Sequence, residues 1–149
     1  MFKFRQYQSD IIDRASAICQ RYGFVYLAME VRTGKTLTSL GLADKLGRKN
    51  VLFVTKKKAI SSIESDYATL NPNYNIVVIN YESLHKIDDL PYDMMILDEA
   101  HTLGAFPKPS KRAKQVREMV AKYKPIVCLL SGTPTPESYS QMYHQVYGI

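Results

Sequence analysis

Apolar residues gather along this chain in five short, continuous runs: Phe24 to Met29, Val51 to Val54, Ile76 to Ile79, Met94 to Leu97 and Ile126 to Leu130. Runs of this length, partly β-branched and without polar alternation, suit central parallel strands covered on both faces. Between them apolar positions recur at helical spacing. They predict helices near Gln8 to Gln20, Lys35 to Leu46, Ile60 to Leu70 and Ser110 to Tyr123, with a further one near Glu137 to Val146. Strand and helix patterns alternate, so the expected class is α/β, with helices packed on a mainly parallel sheet. Ser110 offers a cap for the helix beginning at Lys111, and Pro125 stops that helix before the fifth strand. The stretch Leu103 to Pro109 reads as a surface connection, and there is no internal repeat or low-complexity tail.

Length and charge narrow the picture only a little. The 149 residues suit one domain with a sizeable core, expected to span 1–149, and leave little room for a second. Twenty basic against fourteen acidic side chains give a net charge of +6, which favours a polyanion partner without requiring one. Cys19 and Cys128 sit in apolar settings without zinc-ligand spacing and read as reduced core residues. The apolar runs are strand-sized, so no membrane partner is expected, and the location implied is cytoplasmic.

The chemistry begins at Met29-Glu-Val-Arg-Thr-Gly-Lys-Thr36. A strand ends just before it and a helix starts at Lys35, so backbone N–H groups of Arg32, Thr33 and Gly34 and the positive helix end converge where an anion would sit. Gly34 permits close backbone approach, Lys35 reaches outer phosphates as a point charge, and the Thr36 hydroxyl is a magnesium ligand. Met29 stands where the general P-loop pattern has its first glycine. Arg32 has an equally good reading as a solvent-exposed side chain.

Asp98-Glu-Ala-His101 follows the fourth apolar run. That position is the C-terminal edge of a strand, where ligands of open α/β sheets gather. Asp98 is suited to holding magnesium through water, and Glu99 to orienting and deprotonating an attacking water. His101 has no second histidine at ligand spacing and fits coupling or packing better than metal ligation.

Together these segments resemble the N-terminal RecA-like motor lobe of superfamily 2 helicases, with Asp98 to His101 as the hydrolysis motif and Ser131-Gly132-Thr133-Pro134 as the motif after the fifth strand. Within that superfamily the chain is most similar to the Swi/Snf-type DNA translocases, including viral members. Phe4-Arg-Gln-Tyr-Gln8 resembles the opening element of that group, Val51 to Lys56 and Asn80 to Leu84 resemble its nucleic-acid-facing elements, and the stretch from Asp98 to Lys114 resembles its lysine-containing loop and basic helix. The motifs stand in family order and span essentially the whole chain.

The resemblance implies a RecA-like P-loop NTPase three-layer sandwich that binds Mg-ATP and hydrolyses it with a second, C-terminal RecA-like lobe. That lobe has no counterpart here, so the chain by itself should turn over very slowly. Arg5 and Gln8 would line the adenine, while Lys35, Asp98 and Glu99 would carry catalysis. His101, Ser131, Gly132 and Thr133 would couple nucleotide state to grip. Thr55, Lys56 and Lys57 would hold a polynucleotide backbone, with Lys58 beside them, and Tyr81 would stack on a base or pack at the sheet edge. Duplex DNA is the implied partner. Two other readings stay open: a nucleotide-responsive regulatory or nucleic-acid-binding module without its own cycle, and a restriction-type DNA translocase subunit. A small-molecule P-loop kinase or metabolic NTPase would leave Ser131 to Pro134 unexplained.

Overall fold

A computed structural model describes residues 3–28, 34–87, 90–98 and 111–131. Each apolar run becomes a strand: β1 (Phe24–Ala28), β2 (Asn50–Thr55), β3 (Asn75–Asn80), β4 (Met94–Leu97) and β5 (Ile126–Ser131). They form one sheet in the order β1-β5-β4-β2-β3, and every pairing is parallel. Among the described residues, helix α1 (Gln6–Tyr22) precedes β1, α2 (Lys35–Lys45) lies between β1 and β2, α3 (Ile60–Leu70) between β2 and β3, and α4 (Lys111–Tyr123) between β4 and β5. Short 3₁₀ turns occupy Lys57–Ala59 and Tyr81–Lys86.

The continuous apolar character of the strands follows from burial on both faces. Val25, Leu27, Val51, Phe53, Met94, Ile96, Cys128 and Leu130 point to one side, against Ala15 and Cys19 of α1, Leu40 and Leu42 of α2 and Ile63 of α3. Their neighbours Phe24, Leu52, Val54, Met95, Leu97, Val127 and Leu129 point to the other, against Val116, Met119 and Val120 of α4 and Tyr81 and Leu84 of the second 3₁₀ turn. This is the expected three-layer sandwich. β3 closes one edge, and there Val77 is 37% exposed while the equivalent residues of central strands are fully buried.

Polar residues fix the ends of these elements. The Asp93 carboxylate accepts backbone N–H groups of Lys49 and Asn50 at 2.8 and 2.9 Å, tying the entry of β2 to that of β4. Helix α1 begins two residues earlier than its apolar pattern suggests, because the Gln8 Oε1 accepts the Arg5 N–H at 3.0 Å and holds the first turn. Helix α4 ends at Tyr123, Lys124 takes a left-handed φ of 50° and Pro125 follows, as expected. The cap at Ser110, the connection 103–109 and the helix near Glu137 to Val146 lie outside the described residues. No described helix is long and apolar enough to cross a membrane.

Candidate nucleotide site

All parallel strands deliver their C-terminal ends to one edge of the sheet, so residues at the ends of the adjacent strands β2 and β4 become neighbours. Val54 of β2 pairs with Leu97 of β4. The next residues, Thr55 and Asp98, therefore also meet: the Thr55 hydroxyl donates to Asp98 Oδ2 at 2.7 Å, in the range of a charge-assisted bond. Lys35, the first residue of α2, brings its Nζ to 3.2 Å from Asp98 Oδ1, with both side chains nearly enclosed. The remaining polar groups of Asp98 are held as well. Its N–H donates to the Val54 carbonyl at 2.8 Å, and its carbonyl accepts the Tyr81 hydroxyl at 2.6 Å.

The loop end feeding α2 is equally tight. Gly34 has φ +75°, and a Cβ placed there would stand 2.4 Å from Gln8 Nε2. Glycine serves both needs, the left-handed backbone and the close approach of α1. The Gln8 amide spans the gap, receiving the Arg5 N–H and donating toward the Gly34 carbonyl at 3.4 Å. Thr38 Oγ1 donates to the same carbonyl at 2.9 Å, and Ser39 Oγ to the Thr36 carbonyl at 2.7 Å. Those contacts brace the first turn of α2, and the i to i+4 spacing of Gly34 and Thr38 was a signal available in the sequence.

Gly34, Lys35 and Asp98 thus converge, with Thr36 following Lys35 at the mouth of α2. Gln8 stands against Gly34, and its amide is engaged by the chain's own backbone. Arg5 is exposed at the start of α1. Arg32, Thr33, Glu99, His101, Gly132 and Thr133 lie outside the described residues, and Ser131 is placed only as the last residue of β5. The donor set fits magnesium-bound phosphates. A carboxylate and a hydroxyl are hard oxygen ligands, and a lysine at a helix N-terminus suits an anion.

Two expectations need correction. Thr55 is fully buried with its hydroxyl committed to Asp98, so its side chain does not face a polynucleotide. Tyr81 is 6% exposed, its ring lies in the core and its hydroxyl holds the Asp98 carbonyl, so it is not a stacking platform. The apolar run before Thr55 pulls it into the sheet, and the 3₁₀ turn rotates Tyr81 beneath the strand ends. Lys56, Lys57 and Lys58, by contrast, are exposed where β2 emerges.

The family described as SNF2-related domain matches residues 44–146, and the type III restriction enzyme res subunit family matches residues 1–70. Transcript termination protein A18 of Vaccinia virus (strain Ankara) is 25% identical over 161 aligned residues, covering 90% of this chain and 32% of the relative. This chain therefore spans about a third of that relative's length. Among solved structures, the Sulfolobus solfataricus SWI2/SNF2 ATPase core in complex with dsDNA superposes with a TM-score of 0.75 at 17% identity, over 98% of this chain and 36% of that one. The type ISP restriction-modification enzyme LlaGI, solved with a DNA substrate mimic, gives a TM-score of 0.64 at 17% identity, over 89% and 18%. The fold is that of a RecA-like P-loop NTPase.

Proposed function

The chain belongs to the SNF2-related domain family, and from that premise we propose that it is the first motor lobe of an ATP-dependent DNA translocase, working against a second RecA-like lobe. The observation that carries this reading is the buried pair of Lys35 and Asp98 at the C-terminal edge of the sheet. A phosphate-seeking cation and a metal-seeking carboxylate, far apart in sequence, neutralise each other where their two ligands would meet. With ATP bound, Lys35 would turn on its flexible stem from Asp98 to the outer phosphates. Asp98 Oδ1 and the Thr36 hydroxyl would then hold a magnesium ion, which would supply neutralisation of charge on the phosphate oxygens. Arg5 and Gln8 would take the adenine, Arg32, Thr33 and Gly34 would cradle the phosphates, and Glu99 would orient and deprotonate the attacking water. His101, Ser131, Gly132 and Thr133 relay the state of the site to the grip on DNA.

Lys56 and Lys57 bind backbone phosphates of duplex DNA, giving affinity without base selectivity. The dsDNA bound by the Sulfolobus core supports that choice of partner. The location proposed is cytoplasmic, that of the host if the chain is viral, as its poxvirus relatives suggest. A restriction-type translocase subunit is the second reading, supported by the match over residues 1–70. ATPase rate in the full-length parent, with and without duplex DNA, single-stranded DNA and RNA, tests the motor. Duplex stimulation lost in Glu99→Gln is expected; nucleotide binding without turnover in every condition would instead mean a regulatory module.

A further inference from the structure

Among the described residues Asp98 is gripped at four points, and of these grips the Lys35 ion pair can let go without moving the backbone. Its N–H is tied to Val54 within the β2/β4 ladder, its carbonyl to the Tyr81 hydroxyl, Oδ2 to the Thr55 hydroxyl and Oδ1 to Lys35. Thr55 sits on a sheet strand, fully buried and β-branched, and Tyr81 is set in the core under the sheet end. Both are fixed in place. Lys35 has a long flexible stem and turns away without disturbing the backbone. A carboxylate whose second oxygen is already pinned presents the first in a defined direction, and a metal that demands near-ideal geometry gains from that preorganisation.

We infer that Thr55 and Tyr81 are positioning residues for the metal-binding oxygen of Asp98, Thr55 clamping its carboxylate and Tyr81 its backbone carbonyl, so that release of Lys35 exposes Oδ1 already aimed. This rests on the Mg-ATP reading above. Thr55 leads directly into exposed Lys56, so the segment proposed to hold phosphate backbone continues the strand whose last residue holds the Asp98 carboxylate. Displacement of that strand end would move the clamp.

The test is binding of fluorescent N-methylanthraniloyl-ATP to the full chain, titrated with magnesium chloride, for wild type, Thr55→Val, Thr55→Ser and Tyr81→Phe. Thr55→Val, which keeps shape and removes the donor, should raise the magnesium concentration for half-saturation about tenfold, while magnesium-free binding stays within about twofold. Thr55→Ser should restore the wild-type value. Tyr81→Phe, which keeps the ring in the core, should shift the value in the same direction by a smaller factor and provides the test should Thr55→Val not fold. Unchanged magnesium dependence in Thr55→Val and Tyr81→Phe would overturn the clamp, as would Thr55→Ser behaving like Thr55→Val, or equal losses with and without magnesium. A wild-type chain whose nucleotide binding ignores magnesium would overturn the Mg-ATP reading and the clamp with it; unchanged variants beside a magnesium-responsive wild type would overturn the clamp alone.

Discussion

Lys35 Nζ stands 3.2 Å from Asp98 Oδ1, with the two side chains 9% and 8% exposed. Each charge is enclosed where water stabilises it poorly, so each depends on the other until a ligand replaces it. Lys35→Met leaves Asp98 as a buried carboxylate without its cation. The expected cost is on the order of 3 kcal/mol of folding stability, together with loss of nucleotide binding. Adding Asp98→Asn to that variant should return most of the stability and none of the binding. Urea unfolding followed by circular dichroism reads the first effect, and equal stability of Lys35→Met and wild type would show that the pair carries no folding energy.

Gly34 combines a φ of +75° with a Cβ position 2.4 Å from Gln8 Nε2, whereas Gly47, at φ +66°, has nothing within 4 Å of that position. Gly47→Ala therefore measures backbone strain alone, about 1 kcal/mol. Gly34→Ala should cost more than this and should also weaken nucleotide binding, because Gln8 must leave the Gly34 carbonyl. Equal losses in the two variants, with binding intact in both, would mean that Gln8 moves aside freely.

Alkaline pH should destabilise the chain through its buried thiols. Burial pushes Cys19 up from 9.0 to about 11, with Arg48 opposing, and burial also raises Cys128. The neutral thiol is the form the fold accepts. Its stabilising contribution is whole below the unfolded-state value near 9 and is lost as pH rises through the folded value near 11. Stability should therefore fall across pH 9 to 11, and Cys19→Ala should make that slope shallower. The same burial predicts that a thiol reagent at pH 8 labels neither cysteine until the protein is denatured. Rapid labelling of the native chain would contradict it.

Most of the fold was legible because strands buried on both faces leave continuous apolar runs, and those runs matched the observed strands to within a residue or two at each end. Among the described residues the mismatches are polar end residues. Asn50 joins β2 because Asp93 holds its N–H, a contact across 43 positions that no local pattern reveals. Lys35 and Asp98 were legible from phosphate and metal chemistry at a helix start and a strand end. Thr55 was misplaced, and Tyr81 left open between stacking and the packing it adopts, because one residue past an apolar run can face solvent or the neighbouring strand, and pairing decides which. The clue was present in outline: Val51 to Val54 and Met94 to Leu97 are runs of equal length, so parallel pairing in register sets Thr55 beside Asp98.

The corrected placement makes a distinction that salt titration can read. Each lysine that neutralises a DNA phosphate releases counterions, so removing one contact lowers the slope of log affinity against log salt by about 0.9 on duplex DNA. Lys56 and Lys57 are exposed at the exit of β2, whereas Thr55 and Tyr81 are buried behind them with their hydroxyls on Asp98. Lys56→Ala and Lys57→Ala should therefore each weaken duplex binding in the full-length parent and flatten its salt dependence by about that amount. Thr55→Val and Tyr81→Phe should leave the slope unchanged whatever they do to nucleotide binding. A slope altered by either buried variant, or unaltered by both lysine variants, would move the DNA contact away from the end of β2 and toward other basic residues, such as those of α4.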